Sequence, residues 1–195
     1  MDNFVSVLSV IHIVTAVLLA WPYYALAAVN QRALLGPPLG DRADTYMENV
    51  IKSRTVPCFV FQATVLVSGI ALLLAQGYGL VALITVPQLG AKFLLLLLIA
   101  GHLTYVHVSL QPRIDAAFAE PIEGSMPPER AARIGAMRLR RKRIASICMF
   151  VVLTNVVLGI QVSAAIPGVI AAVLVVAVGV FTWRAFSSNT PFGWV

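Results

Sequence analysis

The chain has 195 residues, 59% of them hydrophobic and only 11% charged, with a mean hydropathy of +0.89. Those values exclude a water-soluble domain and a disordered chain. Two cysteines, Cys58 and Cys148, are too few for a disulfide scaffold, and the apolar runs are continuous rather than alternating, which excludes a transmembrane β-barrel. The expected fold is all-α: a polytopic transmembrane helical bundle of about five spans, forming one membrane domain over 1–195.

In chain order, the first apolar run covers 4–29 and contains His12 and Pro22 but no charge. Asp2 stands where a signal peptide would carry a basic segment, and the run is longer than a signal-peptide core, so a permanent helix is expected. The second span, 56–75, has no charge at all. After Gly77, Gly79 and Pro87 the third covers 87–110, containing Lys92, His102 and His107, and Gln111-Pro112-Arg113 is expected to stop it. A fourth covers 144–165, and Pro167-Gly168 separates it from a Val- and Ala-rich fifth at 169–186 that leads through Arg184 into a polar tail.

Basic residues crowd into two connections. Arg32, Arg42, Lys52 and Arg54 fall in 30–55; Arg113, Arg130, Arg133, Arg138, Arg140, Arg141, Lys142 and Arg143 fall in 111–143. Positive charge collects on the cytoplasmic side, so both loops are expected inside, the N-terminus outside and the C-terminus cytoplasmic. The expected location is a bacterial cytoplasmic (inner) membrane. The net charge of +6 then meets anionic lipid headgroups, making the lipid bilayer rather than nucleic acid the expected partner. Within the second loop, after Pro121, Pro127 and Pro128, residues 129–143 suit a basic helix at the membrane surface. Residues 41–54 suit another, with Asp41 or Asp44 as N-cap and Tyr46, Val50 and Ile51 on its apolar side.

Ionisable residues inside apolar helices are costly and default to functional candidates. Four are present: His12, Lys92, His102 and His107. Paired histidines on facing helices can hold haem b, because neutral imidazole is a good axial iron ligand and the spans bury the porphyrin. His12 and His102 form the candidate pair. His107 is the alternative, since at about 100° per residue it points about 140° away from His102. The same rings could instead hydrogen-bond to Thr15, Gln62, Thr104, Asn155 or Gln161 on neighbouring helices. Lys92 either snorkels to headgroups or pairs with a haem propionate or anionic substrate. Cys58, Cys148 and Met149 form no ladder for copper on one helix and read as buried packing residues. Trp21, Tyr23, Tyr24 and Trp183 suit an interfacial belt, and Ala16, Ala20, Ser68, Gly69, Gly101, Gly159 and Ser163 permit close helix approach. All eight acidic residues lie in loops or at the N-terminus, and hydrolytic motifs are absent.

Ile11-His12-Ile13 in the first span, Ser68-Gly69-Ile70 in the second, Lys92 ten residues before His102 in the third, and Arg143 leading into a fourth that closes near Leu158-Gly159 together resemble the CopD-like superfamily of small integral membrane proteins. That group includes the copper-resistance membrane component, the HemJ type of protoporphyrinogen oxidase, and an uncharacterised predicted integral membrane branch. The resemblance covers the first four spans. It implies a helical bundle in which His12 and His102 correspond to family histidines, haem b is the cofactor and Lys92 contacts a propionate or substrate. The uncharacterised branch fits best, because Trp21 falls nine residues after His12, Pro22 follows it, and the next arginine is Arg32.

The expected function is haem b binding in membrane electron transfer, linked to quinone or to a larger membrane redox complex. The alternatives are a non-catalytic accessory or assembly subunit and, ranked lowest, a copper transport protein.

Overall fold

The computed structural model describes residues 2–29, 42–53, 55–120 and 126–187. Arg32, Asp41, Arg54, Pro121 and the polar tail after Ser187 lie outside the described residues. Eight α-helices are described: α1 (Asp2–Val29), α2 (Arg42–Ser53), α3 (Thr55–Ala75), α4 (Ala82–Thr85), α5 (Pro87–Tyr105), α6 (Gln111–Ala119), α7 (Pro128–Ala164) and α8 (Gly168–Ser187). Five stretches, built on α1, α3, α5, α7 and α8, are long and apolar enough to cross a membrane.

α7 is the central element and packs against α1, α5 and α8, while α1 also packs along α3. The core is an apolar cluster from four helices: Leu19 and Tyr23 of α1, Cys58 of α3, Leu96, Ile99 and Leu103 of α5, and Cys148, Met149, Val151 and Val152 of α7. Leu96, Ile99 and Leu103 recur at the three- and four-residue spacing of one helix face. Deep between α3 and α5, Gln62 Nε2 donates to the Leu96 carbonyl at 2.8 Å. Elsewhere the spans present apolar residues outward, among them Ile13, Val67, Leu94 and Val176, as contact with acyl chains requires.

Two features of the third span differ from the sequence reading. Pro112 does not stop the helix: Val106–Leu110 forms one π-helical turn, and helix resumes as α6. Proline lacks an N–H and its ring crowds the preceding turn's carbonyl. Widening that turn, with the Gln111 N–H donating to the Val106 carbonyl five residues back, puts Pro112 in the first turn of α6, where both defects are tolerated. At the other end, the single turn of α4 folds back onto α5 so closely that a Cβ on Gly90 would lie 2.5 Å from the Leu83 carbonyl oxygen. Only glycine admits that contact.

The two surface helices also differ. Residues 129–143 are not a separate helix lying on the membrane; they are the first part of α7, which runs 37 residues without a break, about 55 Å. Nothing between Arg143 and Ile144 interrupts helix, so the segment continues the axis of the fourth span beyond the ~30 Å hydrocarbon layer. α2 leaves Tyr46 69% exposed, while Ile51, expected on the same apolar side, is buried inside the protein. It buries Asp44 and Glu48 against α7. Asp44 lies inside the first turn of α2 rather than capping it.

That docking consumes much of the positive charge. Arg138 holds Asp44 through two bonds of 2.7 and 3.0 Å and approaches Glu48 at 3.2 Å. Arg141 Nη2 donates to Glu48 at 2.9 Å, and Gln111 of α6 donates to the same carboxylate at 2.9 Å. Arg130 caps the end of α6 by donating to the carbonyls of Ala117 and Glu120, both at 2.6 Å. Paired, bidentate arginines are what make such burial tolerable.

Candidate functional site

The intramembrane ionisable residues separate into two layers. Antiparallel helices rising ~1.5 Å per residue fix the spacing, and contacts fix the register. In the first layer, His12 of α1 places Nδ1 2.9 Å from Ser68 Oγ of α3. Its ring presents Cε1 to the next residue: a Cβ on Gly69 would sit 3.1 Å from His12 Cε1. Lys92 of α5 reaches across to α7, where a Cβ on Gly159 would meet Nζ at 3.0 Å. The Lys92 ammonium lies within electrostatic reach of the His12 ring. Two glycines that the sequence offered as packing positions thus make room for the two ionisable side chains.

The hydrogen bonds assign the His12 tautomer. Ser68 Oγ donates to the Thr64 carbonyl at 2.6 Å, which occupies its single proton, so Oγ accepts from His12 Nδ1–H. The Nε2 lone pair is then the ring's open coordination or base position. Lys92 makes no hydrogen bond or ion pair with any described residue. On α7, one turn before Gly159 and on the same face, Asn155 Oδ1 is buried with no hydrogen-bond partner. The first layer therefore combines an unpaired cation, an open imidazole nitrogen and an unused amide oxygen.

The second layer lies ten to eleven residues further along each helix, about 15 to 17 Å away. Tyr23 of α1, Cys58 of α3 and Cys148 of α7 meet there in the core, at 2%, 0% and 1% exposure. The cysteines are free thiols, and Tyr23 Oη has no partner. Tyr23 thus belongs to the core rather than to an interfacial belt. His102, ten residues beyond Lys92 on α5, shares this depth. It is half-buried on the flank of α5, and its Nδ1 donates to the Leu98 carbonyl at 2.8 Å, leaving Nε2 open as in His12. His107 sits in the π turn, exposed, with its ring edge-on to Phe59 at 5.8 Å.

The structure therefore sets His12 against Ser68 and Gly69 and Lys92 against Gly159 at one level of the bundle, and places His102 and His107 elsewhere along the third span. Ser68 as the residue that sets the His12 tautomer emerges only from the fold; its place beside Gly69 was the available signal. The Asp44–Glu48 and Arg138–Arg141 spacings, four and three residues apart, were the corresponding signal for the α2–α7 network. Among the described residues no three of His, Cys, Asp and Glu converge on one point.

Compared with known proteins, the chain matches no protein-family model, no curated protein and no solved structure.

Proposed function

We propose that this chain is a haem b-binding integral membrane protein of electron transfer, working with quinone or within a larger membrane redox complex. The observation that carries the reading is the His12–Ser68 bond, with Lys92 at the same level of the bundle. An axial histidine must be neutral, with its other nitrogen anchored by a protein acceptor, and His12 has that arrangement. Lys92, a cation in an apolar layer without an acidic partner, suits a propionate carboxylate. The donor set fits haem b, which when bound supplies a one-electron carrier inside the bilayer.

In this reading His12 is the axial ligand and Lys92 the propionate contact. His102, with the same open tautomer but in the layer about 15 Å further along α5, is too far away to bind the same iron as His12, so the expected His12–His102 pair is not formed and His102 is an alternative ligand rather than a second one. In this reading the end of the bundle that carries the basic residues of α2, α6 and α7 faces the cytoplasm of a bacterial inner membrane, with the His12 layer in the outer half and the N-terminus outside; the excess of Lys and Arg at that end supports it.

The test is a reduced-minus-oxidised visible spectrum with haem stoichiometry on purified wild type and on His12→Ala, His102→Ala and His107→Ala. A b-type α-band lost in His12→Ala and kept in His107→Ala is expected. A His102→Ala band unchanged in position and amplitude assigns ligation to His12 without His102. Protein from a haem-replete host that carries no haem, and whose spectrum is unaltered by adding it, overturns the reading.

One observation favours the accessory-subunit alternative: both His12 and His102 already have an intramolecular partner, so each could serve packing alone. That reading expects no cofactor, and loss of a partner complex on deletion.

A further inference from the structure

The cations of α7 fall on two faces. Arg130, Arg138, Arg141 and Lys142 are buried, the arginines among them engaged by carboxylates, carbonyls or Gln111. Arg133 is exposed and pairs with Glu120 at 2.7 Å. Arg140 and Arg143 are also exposed, but neither has a hydrogen bond or ion pair with any described residue. They stand three residues apart and share one face of the helix. Arg140 is held in place, its Cζ 5.1 Å from the centre of the Tyr105 ring at the end of α5.

The same face changes character within one turn. Ile147, four residues beyond Arg143 and seven beyond Arg140, is apolar and 48% exposed. On neighbouring α5, Leu98, seven residues before Tyr105 and on its face, is 44% exposed. Two unpaired guanidinium groups thus lie at the edge of an apolar strip formed by α5 and α7. Charge complementarity asks for an anion, and the adjoining strip asks for that anion to carry a hydrocarbon tail.

We propose that Arg140 and Arg143, with Tyr105, form a headgroup site for an acidic phospholipid, whose phosphate the two arginines hold and whose acyl chain lies along Ile147 and Leu98. Arginine suits this role because its planar fork can donate twice to phosphate oxygens while stacking on an aromatic ring. The site shares no residue with the His12 layer, while His102, four residues beyond Leu98 and bonded to its carbonyl, borders the strip.

The test is native mass spectrometry of the detergent-purified protein titrated with phosphatidylglycerol or phosphatidylcholine, on wild type, Arg140→Ala/Arg143→Ala and Arg133→Ala. All substituted side chains are exposed, and a circular dichroism melt checks that each variant folds. Phosphatidylglycerol is expected to bind in preference to phosphatidylcholine, and the double variant to lose roughly 30-fold in affinity, at about one headgroup-charge interaction per arginine. Arg133→Ala is expected to behave as wild type. Equal binding of both lipids, or a double variant that retains phosphatidylglycerol, overturns the proposal. Displacement of the lipid by millimolar glycerol phosphate also overturns it, because the site would then recognise free phosphate rather than a lipid.

Discussion

Ser68 Oγ accepts from His12 Nδ1 at 2.9 Å while donating its own proton to the Thr64 carbonyl at 2.6 Å, so a residue on α3 dictates which nitrogen of a residue on α1 stays open. Ser68→Ala removes the acceptor and frees the ring to rotate. The cost is expected to be about 0.6 kcal/mol, the average for interhelical hydrogen bonds in membranes, read as a small fall in the melting temperature in detergent. In the haem-bound protein the same variant is expected to shift the α-band without abolishing it. A spectrum identical to wild type would separate Ser68 from the cofactor.

Gly90 is where a side chain meets backbone. A Cβ there would lie 2.5 Å from the Leu83 carbonyl oxygen, and α4 must move away to admit it. Gly90→Ala is expected to destabilise by about 1 to 3 kcal/mol, the usual range for overpacking. Gly159→Ala, meeting only the flexible tip of Lys92 at 3.0 Å, is expected to cost less. Thermal unfolding of the two variants side by side checks the order.

Buried and exposed ion pairs at the basic end are expected to differ sharply. Glu48→Ala removes the carboxylate partner of Arg141 and one of the two carboxylates at Arg138, whose side chains are 1% and 5% exposed, and is expected to cost about 3 to 5 kcal/mol. Asp115→Ala removes the partner of Lys52 in a pair that is 42% exposed on both sides, and is expected to cost under about 1 kcal/mol. Unfolding at matched ionic strength measures both. A similar loss in the two variants would mean that the Glu48 pair is solvated in the membrane-bound protein.

Much of the architecture was legible because it follows from local chemistry. Long uncharged runs have few ways to satisfy their backbone in lipid other than as helices. The site was half legible: His12 and Lys92 were conspicuous as ionisable residues in apolar helices, yet no spacing along the chain could show that Ser68 is the α3 residue bonded to His12. That depends on helix register. Pro112 misled because a proline's effect turns on the geometry of the preceding turn, and 129–143 misled because amphipathic character does not say what covers the polar face.

The sequence by itself determined that this is a helical membrane protein, where its apolar helices lie, and which side chains are costly enough inside them to need a partner, since each follows from transfer of groups out of water. Only the tertiary structure decided the pairings: Ser68 with His12, Asp44 with Arg138, Glu48 with Arg141. It also left Lys92, Arg140 and Arg143 without an acidic partner among the described residues. Hydrogen bonds and ion pairs act over a few ångströms between helices far apart in sequence, so the packing of α3 on α1 and the docking of α2 on α7 had to settle them.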